Sequence, residues 1–160
     1  MAYPGRVHIA ERKHEEELMV LCHQLADENG MFTMSETKVR DVLRKAFNRQ
    51  GGIIGIIGGE GEKIEGMVYL LVDTLWYTDE TSLQELFLYV APEGRRAKTA
   101  IELMKFAKWC AEQSGFSLLI GVISNQRTAG KIRLYKKQFP KEEAGNFFVY
   151  RSNRVTETIG

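Results

Sequence analysis

Apolar residues recur at helical spacing in the first third of the chain. One set occupies Leu18, Leu21, Cys22 and Leu25. Intervals of three and four residues predict a helix over residues 11–28, ended by an Asn-Gly pair whose glycine accepts the left-handed conformation. Ser35 predicts the N-cap of a second helix, which ends at residues 51–52. A short strand is predicted at residues 7–10, before both helices.

The pattern then changes to that of strands. Residues 53–57 and 64–72 are apolar runs joined by a glycine-rich turn at residues 58–62, which is typical of a β-hairpin. The second run is predicted to reach Trp76. Another strand is predicted over residues 83–90, after a polar turn. These strands should form an antiparallel meander.

A crossover follows the meander. Pro92 and Gly94 interrupt the last strand, and helical spacing of apolar residues predicts a helix over residues 98–114. Residues 116–123 are almost continuously apolar, as expected of a strand buried on both faces. A strand, a helix and a strand at this spacing predict a right-handed crossover with a parallel strand pair.

The fold class predicted from these elements is α/β, with one domain spanning residues 1–160. A short helix over residues 127–138 and a last strand over residues 147–151 complete it. The sheet is mixed: it begins as an antiparallel meander and gains a parallel pair at the β-α-β crossover, with helices flanking it.

Composition narrows the class of protein. The chain has 160 residues, of which 44% are hydrophobic and 27% charged, and its formal net charge is +1, which excludes intrinsic disorder. It has no apolar stretch long enough to cross a bilayer and no targeting pattern, so we expect a cytoplasmic protein without membrane partners. Cys22 and Cys110 are too few for a disulfide framework or a zinc site, and no metal is expected.

The junction before the predicted helix at residues 98–114 is unusually basic. Arg95, Arg96 and Lys98 stand together where a helix begins. Cations at a helix N-terminus oppose the helix dipole, by about 0.3–1 kcal/mol each, unless something compensates them. A bound phosphate or pyrophosphate would do so and would also use the free N–H groups there. A solvated basic loop explains the same residues, and both interpretations stay open.

The order of motifs resembles the GNAT superfamily of acyl-CoA-dependent N-acyltransferases. Its signature is a strand end, a proline-like step, and an Arg/Gln-x-x-Gly-x-Gly/Ala motif that opens a helix. The matching residues are Leu88, Tyr89, Val90, Pro92, Arg95 and Ala100. Further along, Asn125 and the segment Leu-Tyr-Lys-Lys-Gln-Phe (134–139) resemble the downstream signature. Arg96 and Lys98 replace glycines of the family motif, so the phosphate cradle would be a variant one.

This resemblance implies acetyl-CoA as co-substrate. Backbone groups of Leu88, Tyr89 and Val90 would bind the pantetheine arm and polarise the thioester carbonyl. The phosphates would lie on the helix start, formed by Arg95, Arg96, Ala97, Lys98, Thr99 and Ala100. Asn125 would bind pantetheine, or simply cap the next helix.

The same resemblance implies direct attack of an amine on the thioester in a ternary complex, without a nucleophilic side chain. Tyr135 matches the family tyrosine that protonates the leaving thiolate, although it shares a helix face with apolar neighbours and packing alone would also explain it. Glu85 lies on the strand that leads to the CoA site and is the candidate general base, with a solvated or ion-paired carboxylate as the alternative. Gln84 and Glu85 point to opposite faces, so the strand register decides.

The acceptor is predicted only as a class. Residues 59–93 carry eight acids and one base, which favours a cationic primary amine on a small molecule or a protein, although a solvated hairpin explains them too. Residues 94–108 and 127–141 hold 11 of the 22 basic residues and one of the 21 acids, as an anionic ligand would favour. There are two alternatives: a catalytically silent module that binds CoA or a partner, and an RNA-directed member of the fold. The protein is expected to be a monomer or a homodimer.

Overall fold

The computed structural model describes residues 2–94, 97–121 and 128–139. The strands are β1 (His8–Ile9), β2 (Gly52–Ile57), β3 (Gly66–Thr74), β4 (Thr81–Val90) and β5 (Ser117–Leu119). The helices are α1 (Glu15–Asn29), α2 (Glu36–Phe47), α3 (Ala97–Ser114) and α4 (Thr128–Gln138). The predicted last strand, residues 147–151, lies outside the described residues.

The sheet has the predicted mixed topology. Its described strands run in the order β1-β2-β3-β4-β5. The first three pairings are antiparallel, and β4 pairs with β5 in parallel. Helix α3 supplies the crossover between β4 and β5, as β-α-β units require. The α/β fold class predicted from the sequence is confirmed.

Helices α1 and α2 form one layer on the sheet. Ser35 caps α2 by accepting a hydrogen bond from the Lys38 N–H, as predicted. The two helices are tied by Arg44 Nε to Glu15 Oε1 and by Arg40 Nη1 to Glu16 Oε1, both at 2.6 Å. These ion pairs connect α1 to α2, and apolar packing holds both helices on the sheet.

Two apolar clusters fill the space on either side of the sheet. The cluster under α1 and α2 includes Leu18, Leu43, Ile54, Met67 and Tyr69. The cluster under α3 includes Val68, Leu70, Leu103, Phe106 and Ala107. Because neighbouring strand residues point to opposite faces, membership of a cluster tells which face a β3 or β4 side chain occupies.

Three sequence predictions need correction. The helix predicted at residues 11–28 begins with a separate 3-10 turn, Arg12–His14, because His14 turns its Nδ1 back to accept the Glu11 N–H. Strand β3 ends at Thr74, so Trp76 lies in the following turn. The strand predicted over residues 116–123 as buried on both faces is the short strand β5. Its three residues are exposed, half-buried and exposed in turn, because β5 pairs only with β4 in the described part of the chain.

A bulge interrupts the pairing of β3 with β4. Tyr69 lies opposite Phe87, but the next β3 residue, Leu70, lies opposite Glu85, so Leu86 is extra. Leu70 belongs to the cluster under α3. The side chain of Glu85 therefore points to the α3 face of the sheet.

Gly55 offers a test of this packing. An added Cβ would lie 2.6 Å from Cε1 of Phe106 and 2.8 Å from Cγ1 of Val7. Because overpacking a close-packed core costs about 1–3 kcal/mol, Gly55→Ala should lower the free energy of unfolding by about that amount in urea titrations. Gly121→Ala is the control, since no atom of the described residues lies within 4 Å of its added Cβ. Equal stability of both variants would contradict this packing.

Candidate active site

Strands β4 and β5 are paired over only part of their length. The last paired residues are Gln84 on β4 and Leu119 on β5. Beyond them β4 continues to Val90, whereas Ile120 and Gly121 belong to no strand. The described pairing of β4 with β5 thus ends at Gln84, before Leu88, Tyr89 and Val90, where the resemblance predicts the pantetheine arm.

The predicted pantetheine residues lie on this segment. Tyr89 is buried in the cluster under α1 and α2, and Leu88 and Val90 pack against the cluster under α3. Their side chains are therefore committed to the two cores. Binding at this segment would fall to backbone groups, as predicted, and that role stays a prediction.

Glu85 and Tyr135 meet at the start of the same segment. The Tyr135 hydroxyl donates a hydrogen bond to Glu85 Oε2 at 3.2 Å, which joins α4 to β4 across 50 positions of sequence. The bulge at Leu86 makes this contact possible, because it directs Glu85 to the face that α3 covers. The structure thus brings the two predicted catalytic residues together, while their chemical roles stay predictions.

Helix α4 is held in place from α3. Lys108 Nζ donates to the Gln138 carbonyl at 2.9 Å and lies 5.1 Å from the ring centroid of Phe139. A cation at the carbonyl end of a helix is favoured by the helix dipole. The Tyr135 and Phe139 rings are neighbours at 6.5 Å. Tyr135 therefore packs and hydrogen-bonds at once, so the two interpretations left open by the sequence are compatible.

The surroundings change the acidity of both groups. Burial raises the pKa of Glu85 from 4.5 to about 8, and the hydrogen bond from Tyr135 offsets part of this rise. Burial also raises the pKa of Tyr135, and the neighbouring Glu85 carboxylate adds to it. Near neutral pH Glu85 can therefore exchange a proton, while Tyr135 keeps its own.

The start of α3 carries the other predicted cofactor residues. Ala97 and Lys98 are exposed, Ala100 is half-buried, and Thr99 is buried, 3% exposed. Arg95 and Arg96, and Asn125 further on, lie outside the described residues. The exposed Lys98 lies in the first turn of α3, where N–H groups and the helix dipole would favour an anion.

A cleft missed by the sequence analysis lies beside this helix start. It encloses about 990 Å³ between α1, the turn after β2 and the beginning of α3. Its lining combines cations and acids with apolar α1 residues: Arg6, Lys63, Lys98, Glu62, Glu93, Val20 and Leu21. The glycine-rich turn at residues 58–62 is its only sequence signal, and that turn also fits an ordinary hairpin.

Metal and thiol chemistry find no support in the described ranges. No cluster of three or more His, Cys, Asp or Glu side chains there could hold a metal ion. Burial raises the pKa of Cys22 and of Cys110 to about 11, which keeps both thiols protonated. No helix in the described part of the chain is long and apolar enough to span a membrane.

The three histidines make structural contacts. His8 Nε2 lies 2.7 Å from the Gly58 carbonyl, His14 Nδ1 accepts from the Glu11 N–H, and His23 Nε2 lies 2.6 Å from Glu36 Oε1. These contacts connect β1, the first turn and α1 to their neighbours, away from Glu85 and Tyr135.

Comparison with known proteins identifies the fold. No protein-family model matches the sequence, and no curated protein matches it. Among solved structures, a probable acetyltransferase superposes with a TM-score of 0.69 at 21% identity, over 96% of this chain and 100% of its own. A second similar structure is the aminoglycoside acetyltransferase meta-AAC0020 from an uncultured soil metagenomic sample, in complex with sisomicin. Its TM-score is 0.67 at 15% identity, and the superposition covers 92% of this chain and 95% of its own.

A third similar structure is AAC(6')-Iy in complex with the bisubstrate analogue CoA-S-monomethyl-acetylneamine. Its TM-score is 0.67 at 15% identity, over 92% of this chain and 97% of its own. All three proteins are acetyltransferases by description, and the agreement spans nearly the whole chain. The protein therefore has the fold of the GNAT acetyltransferases, as its motifs indicate.

The raised pKa of Glu85 predicts how the free energy of unfolding depends on pH. The folded state binds the Glu85 proton more tightly than the unfolded chain, so this contribution to stability is complete below pH 4.5 and is lost as pH rises through about 8. Glu85→Gln removes the titration. Thermal melts from pH 4 to pH 9 should show the variant gaining stability relative to the wild type as pH rises. Glu112→Gln, at an exposed position of α3, is the control, and an unchanged difference across the range would contradict the assignment.

Proposed function

We propose that the protein transfers the acetyl group of acetyl-CoA to a primary amine. The observation that carries the proposal is the Tyr135–Glu85 hydrogen bond beside Gln84, the last β4 residue of the described pairing with β5. The shared fold adds support, since one similar structure holds a CoA-based bisubstrate analogue and another holds an aminoglycoside. An acid and a base in hydrogen-bond contact suit the proton transfers of acyl transfer between two bound substrates.

The residues around this strand fit a CoA-type ligand. Backbone groups of Leu88, Tyr89 and Val90 would hold the pantetheine arm, and the start of α3, with Lys98, would hold the phosphates. Lys98 replaces a motif glycine, but its side chain is exposed and so leaves the helix start accessible. When bound, the thioester supplies an activated acetyl group, and the protein has to position it and exclude water.

Glu85 would act as the general base. The attacking amine forms a C–N bond to the thioester carbonyl carbon, and Glu85 accepts the proton that the amine nitrogen loses. With a pKa of about 8, Glu85 is a stronger base than an ordinary carboxylate and is still partly ionised near neutral pH. Its hydrogen bond from Tyr135 keeps the carboxylate oriented.

Tyr135 would act as the general acid. As the C–S bond breaks, its hydroxyl donates a proton to the departing thiolate sulfur, and its own proton is restored from Glu85 across the hydrogen bond. The net result is one proton moved from the neutral amine to the thiol, and an acceptor that arrives as an ammonium ion first releases one further proton to solvent. No nucleophilic side chain takes part, which agrees with the protonated state of both cysteines.

The acceptor is proposed as a cationic primary amine on a small molecule or a protein. The acidic stretch at residues 59–93 motivates this class, and the similar structures include aminoglycoside acetyltransferases. The competing hypothesis of a silent CoA-binding module rests on Arg96 and Lys98 at motif glycine positions.

Calorimetry decides between these two functions. Acetyl-CoA and the unreactive desulfo-CoA should both bind, and release of free thiol with a panel of amines should follow only with acetyl-CoA. Binding without turnover on any amine would favour the silent module. No binding of either CoA compound would refute the proposed function, and salt-sensitive binding of a short RNA without an effect of CoA would favour the RNA-directed alternative.

Tyr135→Phe tests the acid. Removing the hydroxyl should lower kcat by about 10²–10⁴-fold while the Kd for acetyl-CoA changes little, because the hydroxyl acts on the leaving group. Tyr3→Phe is the matched control, since Tyr3 packs on Phe106 and Trp109. If Tyr135→Phe weakened acetyl-CoA binding as much as it lowered kcat, Tyr135 would have a packing role only.

A further inference from the structure

The turn between β3 and β4 exposes two aromatic side chains. Trp76 is 95% exposed and Tyr77 is 69% exposed. Their rings form an edge-to-face pair with centroids 5.5 Å apart. We call residues 75–80 the aromatic tip. Trp109, in contrast, is half-buried and packs against Tyr3 and Phe106 at the edge of the core.

The aromatic tip has no structural partner that explains it. Neither ring belongs to either apolar cluster of the described residues. A turn with two polar residues would connect β3 and β4 equally well. Large exposed aromatic side chains are enriched at sites of recognition, since they offer contact area at little cost in side-chain entropy.

Carboxylates surround this tip. Asp73, Asp79 and Glu80 have no ion pair in the part of the chain that the structure describes, and Asp73 Oδ1 only accepts the Thr74 N–H. Acids of the helical layer are bound instead: Glu15 and Glu16, for example, pair with arginines of α2. The tip therefore presents aromatic faces and uncompensated negative charge together, which suits a cationic partner.

We infer that the aromatic tip docks a basic polypeptide segment, one of whose lysines is the acetyl acceptor. This inference rests on the proposed function and assigns its acceptor to proteins. Trp76 and Tyr77 would contact the apolar stem and the charge of a lysine or arginine, and Asp79 and Glu80 would face that charge.

The distance along β4 favours a polypeptide over a small amine. Strand β4 leaves the tip at Thr81 and reaches Glu85 four positions later, about 13 Å away at the rise of an extended strand. The aromatic tip lies beyond Thr81, so a ligand that contacts both the tip and Glu85 must span more than this distance. A basic segment with two lysines separated by about five residues spans that distance when extended.

Labelled peptides test the docking without any turnover. One peptide carries two lysines separated by five neutral residues, and its partner has glutamine in place of one lysine. Fluorescence anisotropy with the full chain should show that the two-lysine peptide binds more tightly, by about fivefold or more, with a loss on adding salt. Trp76→Ala and the double variant Asp79→Asn, Glu80→Gln should remove that preference. Phe32→Ala, at another exposed aromatic position, should retain it.

Other results would overturn the inference. Equal binding of the two peptides, or an unchanged preference in Trp76→Ala, would exclude docking at the tip. Spermine competing as well as the two-lysine peptide would exclude the polypeptide assignment, and self-association lost in Trp76→Ala would assign the tip to a second copy.

Acetyl transfer separates this inference from the proposed function. Trp76→Ala should raise the KM for the two-lysine peptide at unchanged kcat. Transfer only to small amines would overturn the assignment of a lysine acceptor and leave the proposed function standing. No transfer to any amine, with peptide binding intact, would refute the proposed function and with it the acceptor, but not the docking.

Discussion

The extra residue at Leu86 determines the geometry of the candidate active site. Without a bulge, the register of Tyr69 with Phe87 would continue, and Glu85 would lie opposite Leu71 on the face that α1 and α2 cover. With the bulge, Glu85 lies opposite Leu70 and points to the α3 face. Only from that face does it reach Tyr135, so one residue of register places the carboxylate beside the phenol.

The contact also depends on helices that are distant in sequence. Lys108 of α3 binds the end of α4 at Gln138, and this fixes the helix that carries Tyr135. Packing that excludes water then raises the pKa of Glu85 to about 8, whereas the same carboxylate on an open strand would stay ionised. The proton chemistry therefore follows from how three elements pack, and no single motif contains it.

This dependence explains which features could be predicted from sequence. The N-cap at Ser35, the meander and the crossover follow from local patterns, and the structure has them. The bulge could not be predicted, because Leu86 continues an apolar run without a glycine or proline to mark it. The run that begins at residue 64 predicts a strand that reaches Trp76, but the chain turns after Thr74. The family resemblance indicates Glu85 and Tyr135 as candidates. Their contact could not be predicted, because it depends on how the fold brings together residues 50 positions apart.

The near-zero net charge conceals an unequal use of charge in the two halves of the molecule. In the layer of α1 and α2, Arg40 and Arg44 form ion pairs and so stabilise structure. On α3 and α4, Lys98, Lys105 and Lys136 are exposed and form no ion pair within the described ranges. Cations that serve no internal contact are available to an external anion. Asp73, Asp79 and Glu80, which form no ion pair within the described ranges, lie at the other end of β4, around the aromatic tip. One strand therefore connects a region suited to an anionic co-substrate with one suited to a cationic acceptor.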